Sequence, residues 1–339
     1  MESGQVTMKA MHGGATYATV LINYSPNAIL ITDSTDKLLT DGAENITTLK
    51  INNVAVDLAD YDITSADSSV AIVENNTITP LQPGQAIFVV SKKSDPTKTA
   101  TVKITFFAPA AKVGDTYYKT LANAFKVAPS GSVIVMQEDA TESISFGGTA
   151  PRTQDFELTL DLNGHTLTAP AGKNYAIRID YGTVTIKDSV GTGGITYGDN
   201  YAMMISHLAG DYPSKVIIES GNFTGKTSVA QVGMPGGTGA NYKYYGGDLV
   251  IKGGTYSAVP DTDEVYDENG NFKYLLNMLD MNESAYAGGI YSPSTITVEG
   301  GSFKKFNPAD CAAEGAHTNF VAEGYQVTND GDWYTVSAM

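Results

Sequence analysis

Three segments built to one pattern decide the fold of this chain: Val216–Phe223 reads VIIESGNF, Leu249–Tyr256 reads LVIKGGTY and Ile296–Phe303 reads ITVEGGSF. Each alternates apolar and polar residues, which puts the apolar ones on one face of a strand, and then bends at a glycine before an aromatic residue. Looser copies are LDLNGHTL from Leu160 and VTIKDSVG from Val184, so that successive starts lie 24, 32, 33 and 47 residues apart. Equal spacers would indicate a regular solenoid. Recurring strand cores with unequal spacers indicate the rungs of a parallel β-helix whose loops differ in length, with Gly221, Gly254 and Gly301 at the bends.

Working backwards from the rungs, the stretch AKVGDTYYKTLANAFKVAPSGSVIVMQED from Ala111 contains the one helical signal in the chain. Leu121, Ala124, Phe125 and Ala128 fall on one helical face, and Pro129 ends it. A lone helix ahead of a stack of strands has a clear task, because the first rung would otherwise be an open edge. The carboxy-terminal stretch carries a hairpin signal at Asn329 to Asp332.

Residues 17–107 hold short alternating runs, YATVLINY, TTLKINNVAV, SVAIVENN, TITPL, QAIFVVS and TATVKITF, separated by Asn, Asp, Gly and Pro. Such runs predict half-buried antiparallel strands in a small sandwich. The segment from Ile63 to Phe106 resembles a bacterial immunoglobulin-like (Big) domain, with Ser65, Ser69, Val70, Ala71 and Val73 at its first signature and Pro83, Gly84 and Ala86 at its second. The second half resembles the pectate-lyase-like right-handed β-helix superfamily, as found on surface proteins of gut bacteria and their phages. YKTLANAF, VIVMQEDATES and LDLNGHTL carry that likeness, and FNPADCAAEGAHTNFVAEGYQVTNDGDWYTV is similar to the group's carboxy-terminal cap. The expected fold is therefore all-β: an Ig-like β-sandwich followed by a right-handed parallel β-helix with one amino-terminal capping helix. The expected boundaries are an arm at 1–17, the Ig-like domain at 18–107, a linker at 108–111 and the capped β-helix at 112–339.

A formal net charge of −16 with only 21 basic residues would repel a phosphate backbone, which argues against nucleic acid as a partner. Two arginines, Arg152 and Arg178, leave few bidentate clamps for carboxylate or phosphate. Cys311 stands alone, so no intrachain disulfide or thiolate cluster can form. No apolar run of about 18 residues suggests a membrane span, and the first residues do not read as a secretory signal.

The β-helix likeness raises polysaccharide lyase chemistry, which needs calcium-binding acids and a base. Arg178 and Asp180 share a strand face by period two, and Lys187 and Asp188 follow one segment later, so these groups could meet outside the helix. An exposed ion pair between rungs is the commoner reading of such residues. GNFTGKT at Gly221 to Thr227 has three residues between its glycines where a phosphate loop needs four. DTDEVYDENGNF from Asp261 lacks the closing glutamate of a calcium loop, and Asp267 to Gly270 reads better as a hairpin turn. His12, His165, His207 and His317 are too dispersed for a zinc site, and His165 is expected at a rung corner. No metal, cofactor or catalytic residue is expected. Tyrosine stands out, with 20 against one Trp. Tyr197, Tyr201, Tyr242, Tyr244, Tyr245, Tyr286 and Tyr291 are expected in long loops, where their rings would stack on a glycan or anchor a partner, or pack the loops down.

Both resemblances imply an extracellular or virion-borne protein, and phage structural proteins assemble inside the host without an export signal. The expectation is a non-enzymatic virion accessory protein, a capsid decoration or head fibre at the virion surface. It would dock on capsid or other virion proteins through its amino-terminal domain, oligomerise there, and present an adhesive β-helix to host-surface or mucus glycan. The alternatives are a secreted bacterial surface adhesin and, further off, a polysaccharide lyase.

Overall fold

The computed structural model describes residues 4–12, 15–24, 29–147, 156–197, 200–206, 214–226, 228–235, 244–259, 266–267, 270–278, 290–292 and 294–339, with the backbone alone at 4–24, 234–235, 244–245 and 290–292. The chain divides into two compact units, Met1–Ala108 and Pro109–Met339. No described helix is long and apolar enough to cross a membrane.

The second unit is a parallel β-helix of three sheets, two of eight strands and one of five. The recurring segments supply the first two sheets. Ser132–Met136, Glu157–Asp161, Gly182–Lys187, Ser214–Ile218, Asp248–Ile251 and Thr295–Val298 pair in parallel in the first sheet. Their registers stack Leu158, Val184, Val216, Leu249 and Ile296 in one inward column and Leu160, Ile186, Ile218, Ile251 and Val298 in the next. All ten are buried. Period-two alternation has therefore been converted into a continuous apolar interior, the main favourable contribution to folding.

In the second sheet the aromatic residues of the motif stack. Phe223 and Tyr256 lie 5.2 Å apart and Tyr256 and Phe303 4.7 Å apart between ring centroids, both nearly coplanar at 12°. The paired glycines have separate reasons. A Cβ on Gly253 or Gly300 would sit 2.3 Å from the Glu219 or Lys252 carbonyl oxygen of the preceding rung, whereas Gly254 and Gly301 hold φ of +95° and +101°. The third sheet comprises Ile144–Phe146, Tyr175–Ile179, Tyr201–Ile205, Ser228–Val232 and Leu276–Met278.

The helix Leu121–Val127 covers the first rung with Leu121, Ala124 and Phe125 buried, and the Phe125 ring meets Phe146 edge-on at 5.8 Å. Its first turn is satisfied three times. The Thr120 hydroxyl accepts the Asn123 N–H, and the Glu142 carboxylate accepts those of Leu121 and Ala122 at 2.7 and 2.9 Å. Tyr266 and Phe272 bridge across a turn in which Gly270 N–H donates to the Asp267 carbonyl, as the hairpin reading expects.

In the first unit, Asp36–Leu38, Asp95–Phe107, Gly84–Lys92 and Tyr61–Ser65 form one sheet, with two three-stranded sheets completing a β-sandwich. Phe88, Ile104, Leu49, Ala71 and Ala86 are buried in its core. Asn52–Asn53 and Asn75–Asn76 form two-residue hairpin turns with positive φ at all four positions. Two expected boundaries move. Gly4–His12 and Ala15–Tyr24 pair as an antiparallel hairpin, so the division at 17/18 cuts a strand. At the other end, Ala111–Val113 is already the first strand of the β-helix unit and Ala110 and Ala111 are buried, so the joint is shorter than 108–111.

Candidate functional site

The polar residues singled out from the sequence are separated by the turns of the rung that carries them. Arg178 lies within Tyr175–Ile179 of the third sheet, and Asp180 follows at the corner where the chain turns to the first sheet. Their period-two relation holds: Arg178 Nε donates to Asp180 Oδ1 at 2.8 Å. Both are largely removed from water, Asp180 being 2 % exposed, and the Ser206 hydroxyl one rung on donates to the same Oδ1. Expected as an exposed ion pair, this is a buried one. The Arg178 guanidinium lies over the Tyr175 ring at 5.9 Å, and its Nη2 is buried with no hydrogen-bond partner.

Lys187 and Asp188 lie at the next corner and do not join that pair. Lys187 Nζ is 3.6 Å from Asp161 Oδ2, while Asp188 accepts the main-chain N–H groups of Gly164 at 2.7 Å, Val190 at 3.3 Å and Gly193 at 2.6 Å. Asp161 accepts those of Asn163 and Ser189, each at 3.0 Å. These two carboxylates tie the corners of successive rungs together. Burial pushes the Asp161 carboxyl up, but the main-chain donors of Ser189 and Asn163, with Lys187 nearby, outweigh it and leave its pKa below the ordinary value.

A depressed carboxyl stabilises the folded state above the unfolded-state pKa, about 3.9, and that contribution is lost as pH falls through the folded value. The stability deficit of Asp161→Asn is accordingly expected to be full at neutral pH and to shrink in acid. Denaturant titrations at pH 7 and near pH 3 would measure it, and a deficit independent of pH would remove this role.

His165 stands at the corner beyond the Asn163–Gly164 turn, its Nδ1 3.5 Å from Asp139 Oδ1. Among the described residues no cluster of three metal-ligating side chains is present. Gly221 to Lys226 of the phosphate-loop lookalike run through the strand Asn222–Gly225 and open no helix.

The tyrosines divide. Tyr197 is 2 % exposed, facing the interior where its strand ends, so it cannot serve as an outward contact. Tyr201 is half-buried in the third sheet, directly in register with Tyr175. Tyr244–Tyr245 form a short strand between Met234–Pro235 and Ile290–Ser292, and the last of these contains Tyr291. Tyr242 and Tyr286 lie outside the described residues. The sequence reading missed Tyr175, beside Arg178, and Ser206, bonded to Asp180, and the column Ser145, Arg178, Met204, Gln231 and Asn277, in which Met204 and Gln231 are buried. Within it Asn277 Nδ2 donates to Gln231 Oε1 at 2.8 Å. Strand starts one rung apart were the signal available for Tyr175.

Residues 52–104 match the family of the hyaluronate lyase N-terminal β-sheet domain. The match falls inside the β-sandwich and overlaps the stretch read as Big-like, but names a different family. No curated protein and no solved structure matches the chain.

Proposed function

We propose that this chain is a non-enzymatic binding protein that holds polysaccharide against its β-helix and is displayed through its amino-terminal unit, in the setting of a virion accessory protein. The observation that carries the polysaccharide reading is the match of residues 52–104 to a domain named for a polysaccharide lyase, set ahead of a β-helix. A binding rather than a catalytic role is supported by the use already made of the acids. Asp161 and Asp188 are spoken for by main-chain donors, and Asp180 by Arg178 and Ser206.

A second reading, a lyase, is favoured by one observation. The domain that residues 52–104 match is named for a polysaccharide lyase. One experiment separates the two. The protein is offered a panel of immobilised neutral and uronate-containing polysaccharides, and unsaturated product is followed in solution. Retention without product is expected. Failure to bind any of them would refute the proposal, and product formation abolished by Arg178→Ala would establish the lyase.

A further inference from the structure

The two ends of the β-helix are closed differently. At the amino-terminal end the helix lies over the first rung. At the other end the segment from Pro308 to Ala322 covers the first sheet: Val298 N–H donates to the Phe320 carbonyl at 2.8 Å and Ala322 N–H to the Val298 carbonyl at 2.9 Å. The second sheet is prolonged instead. Trp333–Ala338 and then Tyr325–Asp330 add to it as antiparallel strands, and Tyr325–Asp330 is its outermost member. Among the described residues no strand pairs with the outer side of Tyr325–Asp330.

That edge has a defined phase. Asp330 and Trp333 flank a two-residue turn that begins at Gly331, φ +63°, and Met339 N–H donates to the Gly324 carbonyl. Even-numbered residues of the strand thus bond to its hairpin partner, and Val327 and Asn329 direct their main-chain N–H and C=O groups outward. Of the usual guards of an exposed edge the strand carries only one charge, Asp330 at its end, and no lysine or proline. Tyr325 and Val327 are half-buried apolar side chains at the rim of the core, which one more strand would cover.

We propose that this edge pairs with the same edge of a second copy, antiparallel about a two-fold axis at Val327, joining two β-helices tail to tail. The choice of occupant follows from the strand's own register, which pairs with itself without setting like charges opposite one another. With Val327 opposite Val327 of the second copy, Tyr325 faces Asn329 and Gln326 faces Thr328. The strand's one charged side chain, Asp330, falls opposite the uncharged Gly324. An antiparallel pair of identical strands closes on itself, so association stops at the dimer. Each chain carries a net charge of −16, so added salt strengthens the pairing by screening repulsion between the copies.

Sedimentation of the full chain over a range of concentrations, at about 0.1 M salt and above, tests this. The expected result is a concentration-dependent doubling of mass that is stronger at higher salt. Asn329→Pro removes an outward N–H and leaves the main-chain bonds of the hairpin intact, though not those of the Asn329 amide to the Gly331 and Trp333 carbonyls at 3.2 and 3.5 Å. It is therefore expected to remain at single-chain mass with a thermal transition matching that of Asn329→Ala, which loses the same side-chain bonds but keeps the N–H and still dimerises. Val327→Cys places two sulfurs at the axis, where hydrogen-bonded partners have Cα atoms about 5.5 Å apart, within disulfide reach. It is expected to cross-link under mild oxidation, whereas the wild-type chain, with its buried Cys311, does not. A chain that is monomeric at every concentration leaves the edge to a strand of another protein and overturns the proposal. So does a dimer that neither loses mass with Asn329→Pro nor cross-links through Val327→Cys. Should Asn329→Pro fail to fold, the Val327→Cys result decides.

Discussion

Ile251→Asp is expected to prevent the β-helix from folding, whereas Val250→Asp, one residue away, is expected to leave it folded. Ile251 is fully buried between Ile218 and Val298 in the inward column of the first sheet, and Val250 lies on the opposite, partly exposed face. Losing the isoleucine side chain from such a site costs about 2–5 kcal/mol by itself. The carboxylate adds the penalty of an unpaired buried charge, or of the protonation that avoids it, for which the apolar neighbours offer no hydrogen bond. The sum approaches the entire stability of an ordinary domain, roughly 5–15 kcal/mol. Ile218→Asp, one rung earlier, should behave alike. Expression yield, far-ultraviolet circular dichroism and thermal unfolding of the three variants provide the measurement. A well-folded Ile251→Asp protein melting at the wild-type temperature would show that the column is not the interior.

The rungs were legible because their information is local. A strand with one face buried must alternate, and Leu249, Ile251 and Tyr256 repeat the spacing of Val216, Ile218 and Phe223 whatever the loops between them do. The Arg178–Asp180 contact was legible for the same reason, period two placing both on one face. What could not be read was the wiring of the corners. Asp188 binds Gly164, and Ser189 binds Asp161, across intervals of 24 and 28 residues through main-chain N–H groups, which carry no residue identity and leave no motif. Tyr197 looked like a loop residue because Gly198, Asp199 and Asn200 follow it, yet its ring turns inward one position before that signal begins. The first strand was hidden differently. Gly4, Gly13 and Gly14 break up the apolar pattern there, while the alternation of Val6, Met8 and Ala10 between them has a strand's period.

Asp188→Ala is expected to destabilise the β-helix by roughly 2–4 kcal/mol, since a buried main-chain donor left unsatisfied, here that of Gly193, costs about 1–3 kcal/mol and the half-buried Gly164 donor adds part of that. The Asp188 carboxylate, itself buried, is shared between two rungs: Oδ1 takes the Gly164 N–H of the preceding rung and Oδ2 the Gly193 N–H of its own. Gly193 itself has no room for a side chain, since a Cβ there would stand 2.8 Å from both the His165 carbonyl oxygen and the Leu162 Cβ. Asp188→Asn keeps one oxygen acceptor but aims an amide donor at the other N–H, so it should recover only part of the loss. Denaturant unfolding would give the midpoints in the order wild type, Asn, Ala, with an unchanged slope if the cooperative unit is the same. The same series discriminates between roles for the carboxylate. A clamp loses stability in step with the hydrogen bonds removed, and polysaccharide retention by whatever fraction remains folded is unaltered. A carboxylate that touched ligand would instead lose retention at unchanged stability, and that outcome would move Asp188 from the scaffold to the binding surface.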